Sequence, residues 1–148
     1  MRIKSTVISP KSYKVMISGY FEGIHSGHLD YLLQAVRMGN IICIVASDSQ
    51  VLLKKGVVKI PERERLLLVA TMLRGLGSKF VVCLNYWDKD TTITETLKKW
   101  KPKILFRGYD KKIETMPPTE YQVCKELGIE IIHAKPFIGE RHSTEIFK

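Results

Sequence analysis

Lys14-Val15-Met16-Ile17-Ser18-Gly19-Tyr20-Phe21-Glu22-Gly23-Ile24-His25-Ser26-Gly27-His28 is the stretch on which the reading of this chain turns. The apolar run from Lys14 to Gly19 ends in glycine and predicts a strand. Leu29, Leu32, Leu33 and Val36 then recur at i, i+3, i+4 and i+7, the stripe of an amphipathic helix. Gly39-Asn40 closes that helix. Between strand and helix, His25 and His28 bracket Gly27, a residue type that lets backbone approach a ligand closely. A helix starting there offers free N–H groups and the positive end of its dipole to a phosphate. The two imidazoles beside those amides are placed to donate to a triphosphate and to charge developing on its α-phosphorus.

Outward from this stretch the same alternation repeats. Ile41-Ile42-Cys43-Ile44-Val45-Ala46 is short and unbroken, as in a strand buried on both faces. A loop over residues 47–60 carries Asp48 and the lysines Lys54, Lys55 and Lys59. Pro61-Glu62 opens a helix that buries Leu66, Leu67, Val69, Ala70 and Leu73. Residues 80–84 read as a third strand, followed by a loop with Asp88 and Asp90, the latter taken as a cap. Thr92-Ile93-Thr94-Glu95 has capping-box spacing, and Ile93, Leu97 and Trp100 form a helical stripe ended by Pro102. Ile104-Leu105-Phe106 is a fourth strand running into Arg107-Gly108-Tyr109-Asp110. A helix after Pro117-Pro118 reaches Leu127, and residues 129–132 form a fifth strand. After a leader over residues 1–13, the expectation is therefore an α/β fold in a single domain over residues 1–148. Its core is a Rossmann-like, doubly wound parallel sheet of about five strands. Segments 19–28, 47–55, 84–90 and 107–110 follow strand ends, so they face one crevice.

Composition narrows the function. The 148 residues carry a net charge of +9, which suits polyanionic partners without separating a triphosphate from RNA. The densest basic run, Lys98, Lys99, Lys101 and Lys103 around Trp100, reads as a solvated helix end rather than a nucleic-acid surface. No apolar run approaches the roughly 18 residues of a membrane span, and the basic N-terminus has too short an apolar stretch for a signal peptide. A cytoplasmic location is the resulting expectation. Cys43, Cys83 and Cys124 are odd in number and widely spaced, against a disulfide framework. Neither GxxxxGK[ST] nor GxGxxG occurs, which disfavours P-loop and dinucleotide-dehydrogenase chemistry.

Gly19-Tyr20-Phe21-Glu22-Gly23-Ile24-His25-Ser26-Gly27-His28 resembles the GxFDxxHxGH signature of the cytidylyltransferase-like nucleotidyltransferases. Four more stretches match in order. Leu53-Lys54-Lys55-Gly56 resembles the family's LKG loop, and Pro61-Glu62-Arg63-Glu64-Arg65 its P-xx-ER helix start. Lys101-Pro102-Lys103-Ile104-Leu105-Phe106-Arg107-Gly108-Tyr109-Asp110 resembles its KPDxxxKGxD stretch. Gly139-Glu140-Arg141-His142-Ser143-Thr144-Glu145-Ile146 resembles its terminal EGxSTTxI. The chain departs from the pattern at Glu22 (for aspartate), at Tyr109 (for a small residue) and at Glu145 (for threonine).

The resemblance implies transfer of CMP or AMP from a nucleoside triphosphate to a phosphorylated small alcohol or sugar, with release of pyrophosphate. The short single-domain form resembles glycerol-3-phosphate cytidylyltransferases and favours CTP; an ADP-heptose-type adenylyltransferase using ATP is the alternative. A nucleotide-binding regulator without turnover is the reading from another class. His25 and His28 take the role of triphosphate and transition-state stabilisers, with a metal pair or a helix-capping histidine as their other reading. Lys55 is assigned to phosphate neutralisation, with Lys54 and Lys59 as rivals. Gly19, Tyr20, Phe21 and Gly27 line the nucleotide. Arg107, Gly108 and Asp110 flank its base or ribose, Asp110 having a turn cap as its other reading. Arg141, Ser143 and Thr144 hold the β- and γ-phosphates, unless Ser143 and Thr144 are an ordinary helix cap. Arg65 is read as structural, paired with a carboxylate. Mg2+ is expected, bound mainly through the triphosphate, with no protein metal site. The family is often dimeric, which admits a homodimer; no residue here marks an interface.

Overall fold

A computed structural model describes residues 2–4 and 13–136. The elements run β1 (Arg2–Lys4), β2 (Val15–Gly19), α1 (Ser26–Val36), β3 (Ile41–Ala46), α2 (Asp48–Lys55), α3 (Glu62–Gly75), β4 (Phe80–Asn85), α4 (Thr94–Trp100), β5 (Ile104–Arg107), α5 (Pro118–Leu127) and β6 (Glu130–His133). One six-stranded sheet has the order β1-β4-β3-β2-β5-β6. All neighbours are parallel except β1, which pairs antiparallel with β4. The chain winds outward from β2 through β3 to β4, then returns to the other side of β2 for β5 and β6. The order therefore switches between β2 and β5, and a doubly wound sheet binds ligands beyond the strand ends at such a switch.

Strand alternation supplies two apolar layers. Val15, Ile17, Ile41, Cys43, Val45 and Val82 meet Leu32, Ala35, Leu66, Val69 and Leu73 of α1 and α3 on one face. Met16, Ile42, Ile44, Val81 and Cys83 meet Leu97, Val123 and Cys124 of α4 and α5 on the other. Each buried Val, Leu, Ile or Met side chain among them contributes about 1.5–3 kcal/mol. All three cysteines are free and buried, as core residues rather than ligands. Among the described residues, no helix is long and apolar enough to cross a membrane.

The structure corrects the sequence reading in five places. A sixth strand, β1, lies inside the presumed leader; its three residues carry no apolar run, so only pairing with β4 defines it. The 47–60 segment is not all loop, because Ser47 caps α2. Its hydroxyl accepts from the Gln50 amide at 3.2 Å, and Gln50 Oε1 accepts from the Ser47 amide at 3.3 Å. Helix α4 lacks the expected Thr92–Glu95 box. Buried Asp88 accepts from the Glu95 and Thr96 amides at 2.7 and 3.2 Å instead. In α3, Leu67 is 56% exposed while Arg65 is fully buried, so the inward stripe runs through the arginine. In α1 the inward residues are Leu32 and Ala35, and Leu29 is 44% exposed.

Candidate functional site

Beyond β2 the backbone turns sharply. Phe21 takes a left-handed conformation at φ 56° while its ring is buried. A Cβ on Gly19 would sit 3.0 Å from that ring, so any side chain there would push the ring from its place. Phe21 in turn supports His28, with ring centroids 5.6 Å apart.

The histidines do more than border the helix start. His25 is the N-cap of α1, and its Nδ1 accepts from the Gly27 amide at 3.0 Å. His28 Nδ1 accepts from the His25 amide at 3.2 Å. The rings lie 4.1 Å apart, and a Cβ on Gly27 would fall 2.7 Å from the His25 ring. The two imidazoles thus form a capping box usually built by Ser or Thr and Glu or Gln. With both Nδ1 atoms accepting, each neutral ring carries its proton on Nε2. This changes the expected means of phosphate binding. The Gly27 and His25 amides are already engaged, so the donors left at this end of α1 include two Nε2–H groups, backed by the helix dipole.

Partial burial, then the positive charges of His25 and Lys55, hold His28 below the ordinary imidazole range. The unfolded chain then binds the extra proton first. Stability therefore rises with pH between the folded-state value and about 6.5, and is lost as pH falls through that window. NMR titration of the nucleotide-free protein is expected to place the His28 midpoint below that of a free imidazole; a midpoint at or above it would contradict this geometry.

Lys55 ends α2 and reaches back across the crevice mouth. Its Nζ lies 3.5 Å from Glu22 Oε1 and 5.2 Å from the centre of the Tyr20 ring. The other Glu22 oxygen accepts from the Lys59 and Ile60 amides at 2.7 and 3.0 Å. The Ile60 amide is the largest cause holding the Glu22 carboxyl below its usual range. Glu22, Gly23, Lys55, Val57, Lys59 and Ile60 line a pocket of about 350 Å3, which Lys54 does not reach.

One buried guanidinium joins the strand-end segments. Arg65 donates to the carbonyls of Ile60 at 2.8 Å, Tyr20 at 2.8 Å and Ala46 at 2.6 Å, and pairs with Asp48 at 2.9 Å. This bears out the structural reading of Arg65 and widens it. Asp90 accepts from the Thr92 amide and hydroxyl at 2.9 and 2.6 Å, a turn-capping role as expected.

Arg107 ends β5, the neighbour of β2, and donates to the Lys112 carbonyl at 3.1 Å with His133 at 3.2 Å. Gly108 and Asp110 form the turn beyond it, with Asp110 exposed. Gly19, Tyr20, Phe21, His25, Gly27, His28 and Lys55 are thus gathered around the end of β2, and Arg107, Gly108 and Asp110 stand at the adjacent strand end. Arg141, Ser143 and Thr144 lie outside the described residues. Sequence reasoning missed the Glu22 tether and the loop-holding roles of Gln50 and Asn85. The Ser47-to-Gln50 spacing was a readable signal; the partners of Glu22, 37 and 38 residues away, were not. No group of three or more His, Cys, Asp or Glu among the described residues could hold a metal ion.

A family model described as cytidylyltransferase-like matches residues 16–145. The chain is similar to an FAD synthase of Methanohalobium evestigatum, 31% identical over 102 residues, which is 69% of this chain and 63% of that protein. It is also similar to the bifunctional protein HldE of Desulfatibacillum aliphaticivorans, 27% identical over 137 residues, or 90% of this chain and 26% of that one. Among solved structures, a lipopolysaccharide core biosynthesis protein from Thermoplasma volcanium aligns with a TM-score of 0.64 at 25% identity, covering 84% of this chain and 98% of the other.

Proposed function

Because the chain belongs to the cytidylyltransferase-like family, we propose that it transfers a nucleoside monophosphate from a triphosphate to the phosphate of a small molecule. The observation that carries this is the interlocked His25–His28 pair, whose engaged Nδ1 atoms leave two Nε2–H donors at the positive end of α1, with Lys55 close enough to act on the charge of His28. An acceptor phosphate oxygen attacks the α-phosphorus, the bond to the β-phosphate bridging oxygen breaks, and pyrophosphate leaves. A phosphate monoester is largely dianionic at pH 7, its second pKa being about 6, so no strong base is needed. The protein's contribution is positioning and charge stabilisation. Lys55, now held by Glu22, is within a side-chain swing of the same crevice and neutralises the phosphates.

Glu22 already serves two amides and a lysine, and no cluster of ligating side chains among the described residues offers a metal cage. The residues therefore suit Mg2+ carried by triphosphate oxygens and water. The FAD synthases among the relatives build an adenine dinucleotide; this favours ATP over CTP as donor and moves the balance toward the adenylyltransferase alternative.

Pyrophosphate release with Mg2+, each of the four nucleoside triphosphates and a panel of phosphorylated alcohols and sugars tests the reading. Release that needs one triphosphate and one acceptor is expected. Absence of both turnover and nucleotide-dependent thermal stabilisation would remove the proposal.

A further inference from the structure

The surplus of positive charge lies away from the crevice. Strands β2 to β6 run parallel, so their carboxyl ends share the crevice and their amino ends share the opposite end of the sheet. Backbone hydrogen bonds stitch that opposite end into a row. The Ile41 amide donates to the Lys79 carbonyl at 2.9 Å, Lys14 to Asn40 at 3.1 Å, Lys103 to Lys14 at 3.0 Å and Glu130 to Lys103 at 3.0 Å. Lys4 extends the row on β1, in register with Val81 of β4, and Lys101 joins it as the C-cap of α4.

Lys4, Lys14, Lys79, Lys101 and Lys103 are exposed, and none has an ion-pair partner among the described residues. At the crevice end carboxylates offset the cations: Glu22, Asp48, Glu62, Asp88 and Glu120 all stand there. The amino end has Glu126 and Glu130. Helix dipoles do not account for the excess. A helix C-terminus carries about half a negative charge, and α3, α4 and α5 already bring Arg74, Lys98, Lys99 and Lys125 in their last turns. The five lysines come on top of these. Lys14 and Lys103 even face each other on neighbouring strands about 4.8 Å apart, where like charges repel. An anion laid along the row relieves that repulsion.

We propose that this lysine row is a docking surface for the phosphate backbone of a double-stranded nucleic acid, on the end of the sheet opposite the crevice. The Lys98–Lys103 run alone reads as a solvated helix end; the fold adds Lys4, Lys14 and Lys79 to it from distant parts of the chain. A bilayer-binding face sends apolar side chains into the interface. Among the described residues, the exposed large apolar side chain at this end is Leu127 alone. Single strands stack on open aromatic rings, whereas Trp100 is covered by Arg2 at 5.3 Å and edged by Tyr13 and Trp87. A duplex backbone needs neither, since lysines meet it as point charges and read no sequence. Lys79 and Lys103 lie three strand spacings apart, about 14 Å, a span that meets several phosphates of one duplex.

Fluorescence anisotropy of the full chain with a labelled duplex of mixed sequence, across a salt series, tests this. Five phosphate contacts give a slope of log K against log salt of about −4, so affinity falls about 10²–10³-fold between about 50 and 200 mM salt. Reversing Lys14, Lys79 and Lys103 together to Glu should flatten the slope by about 3 and weaken low-salt binding by at least about tenfold. Lys14→Gln with Lys103→Gln gives a smaller loss of the same kind should the triple variant fold poorly, and thermal melts check both. Magnesium with excess ATP or CTP should leave the duplex bound. Displacement by the triphosphate would put the duplex in the crevice and overturn the proposal. So would absence of binding at about 50 mM salt, an unchanged slope in folded variants, or tighter binding to phosphatidylserine vesicles or to the matching single strand.

Discussion

His28→Ala lowers kcat by about 10²–10³-fold, the loss expected when one preorganised donor to developing charge is removed. kcat and kcat/KM fall together, because the Nε2–H acts on the transition state more than on the bound triphosphate. The same substitution frees one amide, that of His25, at an exposed helix start. Its effect on stability should therefore stay near that of a lost cap, about 1 kcal/mol. Single-turnover kinetics and a thermal melt separate the two effects. Activity within about threefold of wild type would show that the pair serves only to cap α1.

The largest stability effect belongs to Arg65→Met. The methionine fills much of the volume but strands the Ile60, Tyr20 and Ala46 carbonyls, which the guanidinium now satisfies at a fully buried position. Orphaned buried acceptors cost about 1–3 kcal/mol each, and partial access of water to the crevice brings the expected loss to about 3–5 kcal/mol. Denaturant unfolding reads this directly. Arg65→Lys should recover only a fraction, because one ammonium cannot match a planar fork with donors on three nitrogens. A loss below about 1 kcal/mol in Arg65→Met would mean that the three segments hold their positions without it. The variant should also lose activity beyond its loss of stability, since Arg65 holds both the Tyr20 carbonyl, beside His25 and His28 in sequence, and the Asp48 carboxylate at the start of the helix that carries Lys55.

Much of this was readable in the chain. Strands β2 to β6 show because apolar runs such as Ile41–Ala46 are bounded by turn residues and alternate with helical periods. The His25–Gly27–His28 stretch shows because its composition is uncommon and its place, between strand and helix, is chemically meaningful. That it caps α1 was open to the sequence only as a lesser reading, because capping signals are usually written in hydroxyls, amides and carboxylates rather than in an imidazole accepting through Nδ1. Glu22 looked like a conservative exchange for aspartate. Its reach to the Lys59 and Ile60 amides depends on how a distant loop folds back. Helix α2 was missed because it buries only Gln50 and Val51, leaving Leu52 and Leu53 exposed beside two lysines, so its periodicity is blurred. Leu67 was assigned inward by its chemistry, whereas Arg65 won that face through four polar partners.

Strand β4, Phe80-Val81-Val82-Cys83-Leu84-Asn85, is buried at every residue and uncharged. Left at the rim of a sheet, such a segment would be a template for other chains, since unpaired amides beside β-branched side chains invite cross-chain pairing. The antiparallel strand Arg2–Lys4 occupies that rim instead, in the register Arg2 to Cys83 and Lys4 to Val81. It is short, it turns two cations to solvent, and Arg2 rests over the Trp100 ring at 5.3 Å. A brief, charged outer strand makes a poor seed for further growth. The three residues thus cover the flank of a fully buried, uncharged strand, in the manner of the charged gatekeepers that flank unavoidable apolar strands.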